Sequence, residues 1–210
     1  MGIRAVAFDI GGVLERVDPE WQFLDRWRER LGLTADGYRR ALVWPLNRVD
    51  PGESAKTGGM TEVQLRQRYA AALGLSEPQA DEFMADMWDW YCGELDRELA
   101  SYAASLRPRY RTGILSNSVD GARREEQSRY GFEQLVDVVV YSHEIGVAKP
   151  DPRAYRALCD ELGVAPEELA FLDDRASNVE AACELGIRGF LHVTTAASVQ
   201  SIDALLELAA

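Results

Sequence analysis

Five short apolar runs, separated along much of the chain by segments with helical periodicity, restrict the fold of this sequence more than any other feature. The runs are apolar nearly throughout, as expected for strands covered on both faces of a sheet. They read IRAVAF, YRTGIL, VDVVVY, LAFL and IRGFLHV, and helical segments lie between the last four. Because strands that alternate with helices form parallel sheets, we predict an α/β fold with a Rossmann-like, doubly wound parallel sheet as its core.

Two of the helical segments carry signals for where they begin and end. DPRAYRALCDELG has Asp151 as a predicted N-cap and Pro152 at the first helical position. This segment and SNVEAACELG both end at a glycine, which suits the left-handed conformation of a C-terminal cap. The sequence therefore predicts two regular helices in the second half of the core.

The stretch from Glu15 to Ala100 has a different character. It contains no strand-like run, and TEVQ (61–64) and SEPQ (76–79) have the spacing of helix capping boxes. Apolar residues then recur at helical spacing: Phe83, Met84, Met87, Trp88 and Tyr91. We predict an all-helical cap over residues 15–100, inserted into a core made of 1–14 and 101–210. Open α/β sheets bind ligands at the carboxyl ends of their strands, so this insertion is placed to act as a lid.

All five tryptophans of the chain lie in the predicted cap: Trp21, Trp27, Trp44, Trp88 and Trp90. Trp21, Trp27 and Trp88 fall on apolar helical faces, which favours a packed helical core over a wall that faces a substrate. For Trp44 and Trp90 both interpretations stay open.

Charge and composition exclude several classes of partner. The 210 residues carry a formal net charge of −12, which opposes binding to nucleic acid or to an anionic membrane. No stretch approaches the ~20 apolar residues of a membrane span, and the N-terminal apolar run is too short for a signal peptide. The three cysteines are widely spaced, which favours buried reduced thiols over a disulfide framework. We expect a cytoplasmic protein; its oligomeric state has no signal in the sequence.

Polar residues follow the ends of four predicted strands. They are Asp9, the pair Ser116 and Asn117, Lys149, and the pair Asp173 and Asp174. Because the carboxyl ends of parallel strands lie along one edge of a sheet, we expect these side chains to converge. Three carboxylates close together need a cation, and oxygen ligands without histidine or cysteine suit Mg²⁺. Gly11 and Gly12, just beyond Asp9, would let backbone amides approach a phosphate closely.

These motifs resemble those of the haloacid dehalogenase (HAD) superfamily of phosphotransferases. FDIGGVL, ILSNS, GVAKPDP and FLDDRASN stand in the order of the four family motifs, each at a predicted strand end. The helical insertion also lies where the family places its cap domain. The resemblance spans essentially the whole chain and implies hydrolysis of a small-molecule phosphate monoester, such as a sugar phosphate.

The resemblance also implies a role for each strand-end residue. Asp9 would attack phosphorus and form an aspartyl-phosphate, with Ser116 and Lys149 as the other catalytic residues. The substrate would contact Gly11, Gly12, Ser116 and Asn117. Mg²⁺ would bind Asp9, the backbone carbonyl of Gly11 and Asp174, with Asp173 helping to position the metal or its waters.

One position departs from the usual pattern of the superfamily. Most of its phosphatases carry a second aspartate two residues after the nucleophile, which protonates the leaving group and then activates water; this chain has Gly11 there. Loss of a general acid costs roughly 10²–10⁴-fold in rate, less for a good leaving group. A subgroup with an FDxGxV-type first motif looks similar and includes sugar phosphatases. Glu15, Asp18 or a cap residue are candidate substitutes.

Other activities remain as alternatives at this stage. A 2-haloacid dehalogenase of the same fold uses one aspartate without metal, but the Asp173–Asp174 pair favours phosphate chemistry. A phosphonate hydrolase would need a cap lysine, for which Lys56 is the candidate. A receiver-type signalling module would have its acidic residues in the reverse order, and a non-catalytic phosphometabolite-binding homologue is compatible with Gly11.

Three further polar residues have interpretations of their own. Asn178 is either a residue of a helix N-terminus or a partner of the metal-binding carboxylates. His143 and His192 have no matching partners in the sequence, and we interpret both as structural or surface residues.

Overall fold

The computed structural model describes residues 2–16, 22–36 and 54–208. Its strands are β1 Ala5–Phe8, β2 Glu15–Arg16, β3 Glu94–Leu95, β4 Arg111–Ser116, β5 Val138–Tyr141, β6 Leu169–Asp173 and β7 Arg188–Leu191. Its helices are α1 Gln22–Arg30, α2 Glu62–Leu73, α3 Glu77–Cys92, α4 Arg97–Leu106, α5 Ala122–Tyr130, α6 Phe132–Leu135, α7 Ser142–Ile145, α8 Pro152–Leu162, α9 Ala176–Glu184 and α10 Thr195–Leu208. Two 3₁₀ turns span Ala55–Thr57 and Pro166–Glu168.

The main sheet has five parallel strands in the order β5-β4-β1-β6-β7. Each of the five predicted apolar runs forms one of these strands, so the predicted α/β class is confirmed. The side chains of β1 show why its run is apolar throughout. Val6 and Phe8 pack into one core, while Ala5 and Ala7 pack into a second core on the opposite face. Both faces of the sheet are covered, as in other parallel sheets.

The predicted helix boundaries rest on local hydrogen bonds. Asp151 caps α8 by accepting a hydrogen bond from the Arg153 amide, and Gly163 ends that helix in the left-handed conformation. Thr61 and Gln64 form the capping box of α2, and Ser76 and Gln79 form that of α3. These four-residue signals were therefore read correctly from the sequence.

The described part of the region between β1 and β4 is largely helical, with one exception. Strands β2 and β3 form a two-residue antiparallel ladder, so the prediction that residues 15–100 contain no strand was wrong. Runs of two residues are too short to show an alternating pattern. The ladder lies where the chain leaves β1 and returns toward β4, and the border drawn at residue 100 falls inside α4.

Aromatic side chains make up much of the helical packing. The Phe83 ring on α3 lies 5.3 Å from Trp27 and 5.1 Å from Tyr69, measured between ring centroids. Trp27 and Trp88 are buried, as predicted, while Trp90 is half-buried and lies 5.5 Å from Phe23. The predictions for Trp21, Trp44 and Asp18 fall outside the described residues.

Two further expectations concern the burial of the cysteines and the length of apolar helices. Cys92 and Cys159 are buried free thiols, whereas Cys183 is exposed, so the expectation of burial was wrong for this residue. It lies on α9, whose outer face is open to solvent. None of the helices in the described ranges combines the length and the apolar character that crossing a bilayer requires.

Candidate active site

Three carboxylates meet at the carboxyl edge of the sheet. Asp9 directly follows β1, Asp173 ends the neighbouring strand β6, and Asp174 comes next in the chain. One oxygen from each lies within 4.8 Å of the others. We refer to Asp9, Asp173 and Asp174 as the site carboxylates. The convergence expected from the strand order is thus present in the structure.

Lys149 provides the positive charge among these acids. Its ammonium lies 2.7 Å from Asp9 Oδ1 and 2.7 Å from Asp173 Oδ2, and its side chain is fully buried. It also donates a hydrogen bond of 2.7 Å to the carbonyl oxygen of Leu115 on β4. All three ammonium hydrogens are accounted for, so Lys149 ties β4, β1 and β6 together and neutralises charge that would otherwise be buried unpaired.

Asn117 holds the backbone of Lys149 in place. Its amide nitrogen donates to the Lys149 carbonyl, and its amide oxygen accepts from the Lys149 amide, each at 2.8 Å. Sequence analysis assigned Asn117 to the substrate; the structure occupies both ends of its amide with Lys149. We therefore infer a positioning role for Asn117.

Asp173 is held by several donors at once. It accepts hydrogen bonds from Lys149, from the Arg175 amide and from the side chain of Asn178. Both interpretations of Asn178 hold, since it lies in the first turn of α9 and its buried side-chain amide is a partner of a site carboxylate. With both oxygens of Asp173 engaged, its main role in the structure is to hold the lysine.

Asp9 has one oxygen engaged and one open. Oδ1 accepts hydrogen bonds from Lys149 and from the Ile10 amide, and Oδ2 has no hydrogen-bond partner in the described part of the chain. Burial raises the pKa of Asp9 and the charge of Asp173 adds to the rise, whereas the Lys149 ammonium opposes it; the net shift is upward. Asp9 is thus a partly desolvated carboxylate with a free oxygen, as a nucleophile requires.

The two glycines after Asp9 differ in whether a side chain would fit at their position and in whether their backbone amide is engaged. Gly12 has φ +78°, and a Cβ there would lie 2.5 Å from Asp174 Oδ2, so only glycine lets that carboxylate approach the loop. A Cβ at Gly11 would meet nothing within 4 Å. The Gly12 amide donates to the Glu15 carbonyl at 2.7 Å, while the Gly11 amide has no partner among the residues described. Of the two amides predicted to face a phosphate, only that of Gly11 is free.

The remaining predicted substrate contact is Ser116. It ends β4, the neighbour of the strand that Asp9 follows, and its hydroxyl forms no hydrogen bond with any residue in the described ranges. The predicted structural roles of the two histidines agree with their contacts. His143 pairs with the Ser118 hydroxyl at 2.7 Å, and His192 pairs with the Ser198 hydroxyl at 2.9 Å.

The donor set at this edge suits a hard divalent cation. Asp9 Oδ2 is open, and Asp174 forms no ion pair with a described residue. Burial and the charge of Asp173 raise the pKa of Asp174, so this carboxylate lacks sufficient positive charge nearby. Oxygen atoms of this kind, without histidine or cysteine, are the ligands that Mg²⁺ prefers.

A second group of buried acids, Glu15 and Glu126, lies near the nucleophile. We refer to it as the buried glutamate pair. Both side chains are almost fully buried, and Oε1 of each lacks a hydrogen-bond partner among the described residues. Tyr141 donates a short hydrogen bond to Glu126 Oε2. Burial raises the pKa of both glutamates, and the charges of Glu126 and Asp9 raise that of Glu15 further.

Sequence analysis did not identify Glu126. It lies on α5, whose sequence ARREEQSRY is polar nearly throughout, and nothing in that pattern separates the buried glutamate from its exposed neighbours. Glu15, a candidate substitute for the missing acid, is only 1% exposed and therefore does not face solvent. Its electrostatic interaction with Asp9 nonetheless places it close to the site.

Comparison with known proteins agrees with this geometry. A family profile described as haloacid dehalogenase-like hydrolase matches residues 3–186. A phosphatase of Mycobacterium tuberculosis is 32% identical over 91% of this chain and 88% of its own length. A phosphorylated carbohydrates phosphatase of Thermotoga maritima is 30% identical over 99% of this chain and 92% of its own.

Solved structures show the same fold. A HAD family enzyme from Bacteroides thetaiotaomicron, crystallised with magnesium and inorganic phosphate, superposes with a TM-score of 0.75 at 22% identity. The match covers 91% of this chain and 95% of that one. With a family profile over most of its length and relatives that align nearly end to end, this chain belongs to the haloacid dehalogenase-like hydrolases.

Proposed function

We propose that this protein is a Mg²⁺-dependent phosphatase that hydrolyses a small-molecule phosphate monoester through an aspartyl-phosphate on Asp9. The observation that carries the proposal is the set of three site carboxylates, two of which, Asp9 and Asp173, share a single fully buried lysine. The full-length similarity to two phosphatases supports the same reaction class.

The chain's own residues account for the first chemical step. Asp9 attacks phosphorus, and the bond to the leaving oxygen breaks as the new P–O bond forms. Lys149 holds Asp9 by Oδ1, which restricts the orientation of the carboxylate before attack. The Ser116 hydroxyl and the Gly11 amide are free to donate hydrogen bonds to phosphoryl oxygens. Water then cleaves the aspartyl-phosphate and regenerates Asp9.

Magnesium would be held by Asp9, the Gly11 carbonyl and Asp174. When bound, it supplies the positive charge that offsets the site carboxylates and the phosphoryl group. Asp173 would act through the residues that it holds, Lys149 and Asn178.

Gly11 limits the range of substrates. With no acid two residues after the nucleophile, the leaving group must depart with little help from a proton donor on the loop. We propose that the preferred substrates have good leaving groups, such as sugar 1-phosphates or acyl phosphates, for which loss of a general acid costs less than the usual ~10²–10⁴-fold.

The region of residues 15–100 is proposed to act as a cap that opens and closes over the site. Closure would exclude water while Asp9 attacks phosphorus. Solution scattering with and without a phosphate mimic tests this motion, and identical profiles would contradict it.

A direct test measures hydrolysis of a panel of phosphate monoesters with Mg²⁺ and with EDTA, for wild type and Asp9→Asn. We expect activity that requires both the metal and Asp9, because the proposed nucleophile has no substitute in the described site. Folding of the variant is checked by circular dichroism. Turnover of a 2-haloacid without metal, or ester hydrolysis that survives Asp9→Asn, would contradict the proposal.

A further inference from the structure

Lys56 lies on the 3₁₀ turn Ala55–Thr57, which is fastened to the core beside the active site. Its carbonyl accepts a hydrogen bond of 2.7 Å from the Ser142 hydroxyl, at the end of β5. The same hydroxyl accepts a hydrogen bond of 2.9 Å from the amide of Ser118, just beyond β4. Gly58 follows the turn and packs against the His143 carbonyl so closely that a Cβ would clash. The backbone of Lys56 is therefore fixed above the ends of β4 and β5.

The exposed side chain of Lys56 interacts electrostatically with a cation that follows a strand on the other side of β1. Its ammonium is in electrostatic range of Arg175, which follows Asp174 beyond the end of β6. In the sheet, β1 lies between β4 and β6, and neighbouring strands are ~4.8 Å apart. Asp9 follows β1, so it lies between the strand end below the Lys56 backbone and the strand end that precedes Arg175.

Neither of these two cations is neutralised by an ion pair. Lys56 and Arg175 form no salt bridge within the described ranges, although many other arginines of the chain do. Partial desolvation and repulsion by Arg175 lower the pKa of Lys56, so the two charges oppose each other. In a chain of net charge −12, these are two exposed cations without a salt bridge in the described ranges, and Arg175 also interacts electrostatically with Asp174 of the site.

We propose that Lys56 and Arg175 bind a second anionic group of the substrate, separate from the phosphoryl group that is transferred. The inference rests on the proposed function, since it places the phosphoryl group on Asp9 and the rest of the ester on the side of Lys56. The substrate class is then a phosphate monoester that carries a carboxylate or a second phosphate. Charge-assisted hydrogen bonds from an ammonium and a guanidinium suit either group.

Binding to the Asp9→Asn variant tests this inference without turnover. Calorimetry in the presence of Mg²⁺ compares 3-phosphoglycerate with glycerol 3-phosphate, which differ by a carboxylate, and fructose 1,6-bisphosphate with fructose 1-phosphate, which differ by a phosphate. We expect the ester with the second anion to bind about tenfold more tightly, the effect of one charge-assisted hydrogen bond. The pair that shows the larger preference identifies the second anion.

Substitutions then assign the preference to residues. In the Asp9→Asn background, Lys56→Gln and Arg175→Gln should each remove most of the preference, and Lys56→Arg should retain it because the charge is kept. Arg111→Gln is the matched control, since Arg111 is an exposed arginine at the start of β4, on the opposite edge of the sheet. Added salt should weaken the preference.

Two outcomes would overturn the inference: equal affinity within both ester pairs, or a preference that survives Lys56→Gln and Arg175→Gln. These results are distinct from failure of the proposed function, which appears as absent hydrolysis by wild type in the ester panel. A protein that binds the second anion but hydrolyses no ester would keep the inference and contradict the phosphatase activity.

Discussion

Two groups of acids lie near each other in this protein and differ in whether a cation forms ion pairs with their members. The site carboxylates surround Lys149, which contacts Asp9 and Asp173 at 2.7 Å. Among the described residues no cation forms an ion pair with the buried glutamate pair, although Arg129 and Arg123 interact with it electrostatically, and each member leaves an oxygen without a partner. Lys149 offsets part of the rise in the pKa of Asp9, whereas burial raises the pKa values of Glu15 and Glu126 without an ion pair to either among the described residues. The same side-chain chemistry is thus offset by a buried lysine in one place and left without an ion pair among the described residues in the other.

Removing the cation is the most severe way to break this contrast. Lys149→Met should lower hydrolysis by at least ~10³-fold and cost about 3–5 kcal/mol of stability, because it leaves Asp9 and Asp173 buried without their partner. The loss should be largest at pH 8 and smaller at pH 5, since protonation then removes the uncompensated charge. Activity assays and thermal unfolding at both pH values check this prediction. An unfolding temperature equal to that of wild type at pH 8 would show that the lysine is not what offsets these acids.

Adding an acid at position 11, next to the site carboxylates, tests the same contrast by a gain of activity. Gly11→Asp should fit, because a Cβ at this position meets nothing within 4 Å. It would supply the proton donor that the loop lacks and should raise hydrolysis of esters with poor leaving groups by roughly 10²-fold. An ester with a good leaving group should gain less. The two esters are compared by kcat/KM, with Gly11→Asn as the control that adds similar bulk without an acid.

Neutralising one member of the glutamate pair should have the smallest effect. Because folding raises the pKa of Glu15 above its ordinary 4.5, the folded protein keeps a proton that the unfolded chain loses as the pH rises. The free energy of unfolding should therefore fall with increasing pH above about 4.5.

Glu15→Gln removes this dependence and should stabilise the protein at pH 8 by about 2 kcal/mol, or roughly 5 °C in unfolding temperature. Thermal unfolding of EDTA-treated protein from pH 5 to pH 8 measures it. Glu161→Gln, on the exposed end of α8, serves as the surface control. If wild type and Glu15→Gln show parallel pH profiles, Glu15 does not hold a proton in the folded state.

The sequence predicted the sheet and its edge well because both depend on local patterns. The β1 run had to be apolar at every position, since Ala5 and Val6 face different cores. Asp9 and Asp173 follow or end their strands, so the parallel order alone predicts that they meet. The β2–β3 ladder escaped prediction because two residues per strand carry no periodicity.

Other roles depended on contacts that no local pattern contains. Asn117 was assigned to substrate but holds the Lys149 backbone, 32 residues further along the chain. Glu126 has the same sequence surroundings as its exposed neighbours, and only the packing of α5 against the core decides that it is buried. A local sequence motif does not indicate hydrogen bonds to a distant segment of the chain, nor burial by such a segment.

The sequence by itself thus determined the parallel α/β architecture, the helix caps and the set of acids and lysine at one edge of the sheet. These follow from side-chain periodicity and from where each strand ends. The tertiary structure alone decided which oxygens of the described site are engaged, that Glu15 and Glu126 are buried without an ion pair among the described residues, and that Lys56 and Arg175 interact electrostatically. Those properties depend on the distances between segments far apart in the chain and on how far each side chain is desolvated. Both are fixed only when the chain has folded.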